Sequence, residues 1–279
     1  MNFEDRVIVL SGGISPLTQS YAHKIAALGA TMVLTGADSR EANRLNDELL
    51  TRGSHSIVIE GNATDIEFPT TLFQSVIDRC GRVDVVVNNF DNTVSGALSC
   101  LDAKLVDEQF SHSVMSTIRV NQAVIPHMLK AGYGRIVNVA SGVGIFGAAK
   151  QSAFAATTAA IIGFTKSLGL ELKDNNIGVN ALAPYSAMNG KETALSLASE
   201  QATTSSALAF LSHSDCELTG QVISAGCGRV ARIFSSTVSG YFDFDAEIED
   251  INDNLDAILA TKYAVIPLRA EDELLLVDV

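Results

Sequence analysis

Residues 135–173 read RIVNVASGVGIFGAAKQSAFAATTAAIIGFTKSLGLELK. Arg135 to Ala140 is a short apolar run rich in β-branched residues, the composition of a buried strand. A Gly-rich turn follows Ser141, and Ser152 to Leu172 is predicted as one long helix of Ala, Thr, Ile and Leu. A fully apolar strand feeding a helix is the unit of a parallel sheet covered on both faces.

The rest of the chain repeats this unit. Short apolar runs predict strands at Arg6–Leu10, Thr31–Thr35, Ser56–Glu60, Val83–Val87, Ile177–Leu182 and Gln221–Ala225, making seven with the first. Helical patterns lie between them, including a long one from about Asp102 to Lys130. The expectation is an α/β fold: a doubly wound, parallel, seven-stranded sheet with helices on both faces. It occupies residues 1–232 as a single domain. Residues 233–279 form an extension, with Ile248, Ile251, Leu255, Ile258 and Leu259 at helical spacing among acidic residues. This extension is expected to pack on the domain or on a sister subunit.

Composition narrows the partners. The net charge is −13 and the pI about 4.7, which argues against nucleic acid and anionic membrane surfaces. The four cysteines, Cys80, Cys100, Cys216 and Cys227, form no CxxC pair and no metal-ligand spacing. Reduced thiols in a cytoplasmic protein are expected, with no metal. No signal-peptide profile opens the chain, and no apolar run is read as long enough to span a bilayer.

Ser141, followed thirteen residues later by Phe154 and then by Thr158, resembles the active-site segment of the short-chain dehydrogenase/reductase family, whose pattern is Ser, then Tyr-x-x-x-Lys. The resemblance implies a Rossmann-like fold, an NAD(P) cofactor and hydride transfer to or from a carbonyl carbon. In the family Tyr is the acid/base, Lys lowers its pKa, Ser holds the substrate oxygen and an Asn supports a water relay. Here Phe154 stands at the Tyr position, Thr158 at the Lys position and Ser113 at the Asn position; of the four, Ser141 is retained. Phe154 carries no ionisable proton and Thr158 no positive charge. Tyr185 and His112 are candidate substitutes that could share one cavity with Ser113 and Ser141.

The cofactor positions implied by the resemblance are altered too. The family loop Thr-Gly-x-x-x-Gly-x-Gly reads Ser11-Gly12-Gly13-Ile14-Ser15-Pro16-Leu17-Thr18. Pro16 and Thr18 replace glycines that let the backbone approach a pyrophosphate, and proline has no N–H to offer it. Ser15-Pro16 reads instead as a helix N-cap and first turn. Gly12, Asn62 and Asn88 are vestiges of the cofactor site, Asn88 serving to brace the sheet. Asp38 falls two places late for a ribose contact, Phe90-Asp91 replaces a small pair, and Tyr185 replaces a glycine beside the nicotinamide.

The helices at about 102–130 and 152–172 correspond to the family's dimer interface, and their small residues permit close packing. Gly220–Arg232 is similar to a subgroup of hydroxyacyl-CoA dehydrogenases, pointing to an acyl-CoA ligand. Three functions follow as expectations. The first is a non-catalytic subunit that pairs with an active paralogue and needs no cofactor of its own. The second is a non-redox isomerase, dehydratase or cyclase that reuses the pocket. The third is residual NAD(P)-dependent oxidoreductase activity.

Overall fold

The computed structural model describes residues 1–36, 39–90, 93–185 and 194–272. Side chains are described outside 186–200. The chain divides into two compact units, Met1–Arg232 and Ile233–Val279.

In the first unit the order is β1 (Val7–Gly12), α1 (Pro16–Ala26), β2 (Thr31–Gly36), α2 (Ser39–Thr51), β3 (His55–Glu60), α3 (Phe68–Cys80) and β4 (Val85–Asn89). Then come α4 (Ala103–Phe110), a π-helical turn (Ser111–Met115), α5 (Ser116–Ala131), β5 (Gly134–Val139), α6 (Val143–Phe146) and α7 (Ser152–Leu172). The unit ends with β6 (Ile177–Pro184), α8 (Ala194–Ser212), β7 (Val222–Gly226) and β8 (Arg229–Ile233). The sheet runs β3-β2-β1-β4-β5-β6-β7-β8, and the pairings from β3 to β7 are parallel.

Among the described residues the sheet therefore has eight strands, not seven. The extra strand follows β7 through Cys227 and Gly228, whose φ values of 49° and 79° are both left-handed. That pair makes a tight two-residue turn of the kind that reverses a strand. Arg229 and Arg232 on a short outer strand disguise it as loop, and such charges also blunt an edge.

The strands are buried because both faces are covered. On one face Tyr21 and Ile25 of α1, Leu45 and Leu49 of α2, and Leu208 and Leu211 of α8 pack with Ile8, Leu10 and Leu34. On the other, Leu72, Phe73 and Val76 of α3, Val120, Val124 and Met128 of α5, and Leu168 and Leu172 of α7 pack with Val9, Val86 and Ile136. Burying each such side chain contributes roughly 1.5–3 kcal/mol. By length and hydropathy alone, Ser152–Asn175 would be long enough to cross a membrane, which corrects the sequence reading. In the fold the apolar residues of α7 that include Ile161, Leu168 and Leu172 are buried.

At the strand starts, opposite the cleft described below, Asp84 is buried. It accepts from the backbone N–H of Val7 (2.9 Å), from Arg6 (2.9 Å) and twice from Arg82 (2.8 and 2.5 Å). The guanidiniums of Arg6 and Arg135 both lie over the Tyr133 ring, 4.5 and 4.8 Å from its centroid. Burial raises the Tyr133 pKa, so the ring stays a neutral phenol. Asp84→Ala would leave the Val7 N–H unpaired and should destabilise the protein by about 2–3 kcal/mol in urea denaturation, with an unchanged m-value.

The cysteines differ in exposure. Cys100 and Cys227 are exposed, whereas burial raises the thiol pKa of Cys216 and, more weakly opposed by Arg79, that of Cys80. A raised thiol pKa leaves less thiolate at neutral pH, and the thiolate is the reactive form. Ellman's reagent should therefore modify Cys100 and Cys227 rapidly in the native protein, and Cys216 only after unfolding.

Candidate functional site

In doubly wound sheets, ligands bind beyond the carboxyl ends of the strands, where the strand order reverses. Here that point lies between β1 and β4, and a cleft of about 170 Å³ opens beside it. Asn89 and Phe90 line it after β4, Val139, Ala140 and Ser141 after β5, and Pro184 after β6. Helix α7 adds Phe154, Thr158 and Ile161, α1 adds Leu17, and the π-helical turn adds Ser113. Ser113, Ser141, Phe154 and Thr158, far apart in sequence, thus share one cleft.

Most of the polar groups there are already engaged. Thr158 Oγ1 donates to the Phe154 carbonyl at 2.9 Å, and Ser113 Oγ donates to the Phe90 carbonyl at 3.3 Å. Ser141 Oγ accepts from the Val143 N–H at 3.2 Å, which starts α6. A Cβ at Gly144 would lie 2.6 Å from both Thr158 Oγ1 and the Ala159 nitrogen, so α6 sits hard against α7. No described residue lining the cleft carries a titratable side chain. Serine, threonine and asparagine there can donate and accept hydrogen bonds; none can exchange a proton near neutral pH.

The proposed substitutes do not complete the cleft. His112 lies one residue from Ser113, but its ring packs edge-on against Phe90 at 5.8 Å and is not among the lining residues. Tyr185 is 52% exposed, and its backbone N–H donates to the Ala225 carbonyl. It also does not line the cleft. Of the four residues expected to share a cavity, only Ser113 and Ser141 do so.

The β1–α1 loop has its own internal closure. Gly12 adopts φ 122°, and a Cβ there would fall 2.0 Å from the Asn89 carbonyl oxygen, so close approach of β1 to β4 requires glycine. Thr18, 3% exposed, fills the space under the loop. Its Oγ1 donates to the Gly13 carbonyl at 2.9 Å, accepts from Asn89 Nδ2 at 2.9 Å and lies 3.2 Å from Ser15 Oγ. Ser15 is the N-cap of α1 and accepts from the Thr18 N–H at 3.2 Å. The first turn therefore offers little to an anion: Pro16 has no N–H, and those of Thr18 and Gln19 are taken by Ser15.

The other cofactor vestiges serve the fold. Asn88 Nδ2 donates to Asn138 Oδ1 at 2.9 Å, and Asn62 Oδ1 accepts from the Thr64 N–H at 3.0 Å, a local turn. Asp38 and Asp91 lie outside the described residues. Sequence reasoning missed the role of Asn89 as the partner of Thr18. The paired Asn88-Asn89 was visible, but the contact spans most of the first unit's early chain and has no local signal.

A family model described as short chain dehydrogenase matches residues 6–207. The chain belongs to the short-chain dehydrogenase family. Among its relatives in that family is the 3-oxoacyl-(acyl-carrier-protein) reductase of Vibrio harveyi, 30% identical over 184 residues that cover 66% of this chain and 74% of that protein. The peroxisomal hydratase-dehydrogenase-epimerase of Neurospora crassa is 31% identical over 184 residues, which span 20% of its length. Two solved structures share the fold. One is a short chain dehydrogenase from Mycobacterium avium, with TM-score 0.84 and 20% identity, covering 93% of this chain and 98% of that one. The other is the peroxisomal multifunctional enzyme type 2 of Drosophila melanogaster, with TM-score 0.84 and 22% identity, covering 98% of this chain and 48% of that one.

Within this member of the family the Thr18 cluster is a testable joint. Thr18→Val keeps the shape and deletes the hydroxyl, leaving Asn89 Nδ2 without its acceptor. It should lower stability by about 1–3 kcal/mol in chemical denaturation.

Proposed function

We propose that this chain is a non-catalytic subunit that pairs with an active member of the short-chain dehydrogenase family in a heteromeric dehydrogenase. One observation carries the reading. The cleft gathers Ser113, Phe154 and Thr158 where the family resemblance calls for Asn, Tyr and Lys, and none of its described lining residues is titratable. Hydride transfer to a carbonyl needs a proton delivered to the oxygen, and among the described residues lining this cleft none is a donor of matched pKa.

The cofactor is tested on the same ground. The family implies NAD(P), whose pyrophosphate is held by backbone N–H groups at a helix start. At the start of α1 the N–H is missing at Pro16, those of Thr18 and Gln19 are bonded to Ser15, and the Thr18 side chain fills the loop. These residues do not fit a dinucleotide held in that manner, so no reaction step is drawn through one.

Pairing is supported by surface character. The outer face of α7 presents Ala156, Ala159, Gly163 and Leu170, and a Cβ at Gly163 would meet nothing within 4 Å. Leu105 of α4, Met115 of the π-helical turn and Leu129 of α5 are exposed as well. Small residues at helical spacing beside exposed aliphatics suit helix-on-helix association. The substrate of the pair is proposed to be a hydroxyacyl thioester such as a hydroxyacyl-CoA, in keeping with relatives named for 3-oxoacyl reduction and for a hydratase-dehydrogenase. The cytoplasm is the proposed compartment. A proton-transfer enzyme without hydride chemistry would need His112 or Tyr185 in the cleft, and neither lines it.

Co-expression with its genomic neighbours of the same family tests the pairing. A hetero-oligomer should co-elute in gel filtration, and calorimetric titration of this chain alone with NADH or NADPH should show no micromolar binding. The double variant Phe154→Tyr with Thr158→Lys should not gain carbonyl reduction, because the loop at Pro16 and Thr18 is unchanged. A chain that remains a homo-oligomer beside a neighbour fully active alone would sink the proposal, as would micromolar NADH binding.

A further inference from the structure

The cleft without a titratable group still holds space. Its volume is about 170 Å³. An apolar cavity of about 150 Å³ is enough for a benzene-sized molecule. Seven of its eleven described lining residues are apolar, among them Phe90, Val139, Phe154 and Ile161, and the other four are Asn89, Ser113, Ser141 and Thr158. Apolar walls with a few placed polar groups are the make-up of a small-molecule site. The walls are also fixed in advance. Asn138 of β5 bonds Asn88 of β4, Asn121 of α5 and Thr165 of α7, and Gly144 seats α6 against Thr158.

Hydrogen bonding selects one anchor. Thr158 Oγ1 spends its proton on the Phe154 carbonyl at 2.9 Å, and Ser113 Oγ spends its own on the Phe90 carbonyl at 3.3 Å. Ser141 differs. Its Oγ accepts from the Val143 N–H at 3.2 Å, and its proton has no acceptor among the described residues. Of the hydroxyls lining the cleft, Ser141 is therefore the one with a proton to give, and it calls for an oxygen acceptor on the ligand. Charge excludes other chemistry. A carboxylate, phosphate or ammonium group in the cleft would lose its hydration and meet no counter-charge among the described lining residues. The rings of Phe90 and Phe154 favour a flat ligand, since aromatic groups gain by stacking or edge-on contact.

We propose that the cleft binds a small uncharged carbonyl compound, about the size of a substituted benzene ring, through the Ser141 hydroxyl, and releases it unconverted. The inference rests on the non-catalytic reading above: with no acid–base group of matched pKa beside the carbonyl, binding is not followed by chemistry. The cleft then serves as a ligand site of this subunit, separate from the site at which a catalytic partner would act.

The test titrates the full chain with acetophenone, benzoate and ethylbenzene, probes of similar size, and follows binding by ligand-detected NMR. Acetophenone should bind about two- to tenfold more tightly than ethylbenzene, the margin of one hydrogen bond, and benzoate should not bind. Ser141→Ala should erase that margin, and Ser141→Thr, which keeps the hydroxyl, should retain it. Ile161→Phe, which fills the cleft, should abolish acetophenone binding, with circular dichroism checking that each variant is folded. A margin that is absent, or that survives Ser141→Ala, overturns the anchor and the proposal with it. Benzoate binding as tight as that of acetophenone overturns the uncharged class. If none of the three probes binds, the site falls and the heteromer stands. Reduction of acetophenone to its alcohol by this chain and NADPH alone overturns both the unconverted ligand and the non-catalytic reading. A chain that binds acetophenone as expected but finds no partner keeps the site and loses the heteromer.

Discussion

Three buried asparagines and a threonine hold the centre of this fold. Asn138 of β5 accepts from Asn88 of β4 at 2.9 Å and from Asn121 of α5 at 3.3 Å, and it donates to Thr165 of α7 at 3.0 Å. All four side chains are excluded from solvent. A buried amide that lost its partner would cost about 1–3 kcal/mol, so the four elements are fixed in one register. That register sets the spacing of β4, β5, α5 and α7, and with it the cleft where Ser113, Ser141, Phe154 and Thr158 meet. The scaffold that places the site is independent of the groups that would give it chemistry.

Two regions beside that scaffold have become self-sufficient. At the β1–α1 loop, Ser15 takes the N–H groups of Thr18 and Gln19, and the Thr18 hydroxyl bonds the Gly13 carbonyl and the Asn89 amide. In the cleft, Thr158 and Ser113 donate to nearby backbone carbonyls. The two regions differ in sequence position and in the residue types involved, yet the outcome is the same: polar groups are satisfied by the chain and apolar surface fills the rest. The large face of α7 and the acidic extension, by contrast, keep apolar surface exposed. Unspent interaction capacity therefore lies on the outside of the molecule and, in the cleft, at the Ser141 hydroxyl.

The fold was largely legible because its signals are local. Apolar β-branched runs such as Val85–Val87 and the apolar stretch of α7 need no tertiary information to be read. The eighth strand was not, since Arg229–Arg232 has no apolar period and its evidence is the left-handed pair Cys227–Gly228. Ser113 is reached in the sequence by aligning the run Arg119–Met128 with the family; it lines the cleft from the π-helical turn that precedes α5. His112 is grouped with it as a chain neighbour and Tyr185 by its position after β6, and neither argument fixes side-chain direction: one ring packs on Phe90 and the other stands at the surface. The Thr18–Asn89 contact joins residues 71 positions apart and could be found only in the folded molecule. The helical period of the extension was visible, but its interruption at Asn254, between short helices at Ile248–Asp253 and Leu255–Ile258, depends on one residue's backbone angles.

The closed loop at Thr18 has a thermodynamic corollary. A protein whose native state binds a ligand gains stability by mass action, roughly 2.7 kcal/mol at a hundredfold excess over Kd. Its folded fraction then rises and falls with the metabolite pool. If, as proposed, the loop at Thr18 holds no dinucleotide, this chain receives no such increment and incurs no such dependence. The abundance of this chain would be buffered against swings in nicotinamide nucleotide concentration, leaving subunit association and ligand binding in the cleft as the equilibria that couple its folding to the state of the cell.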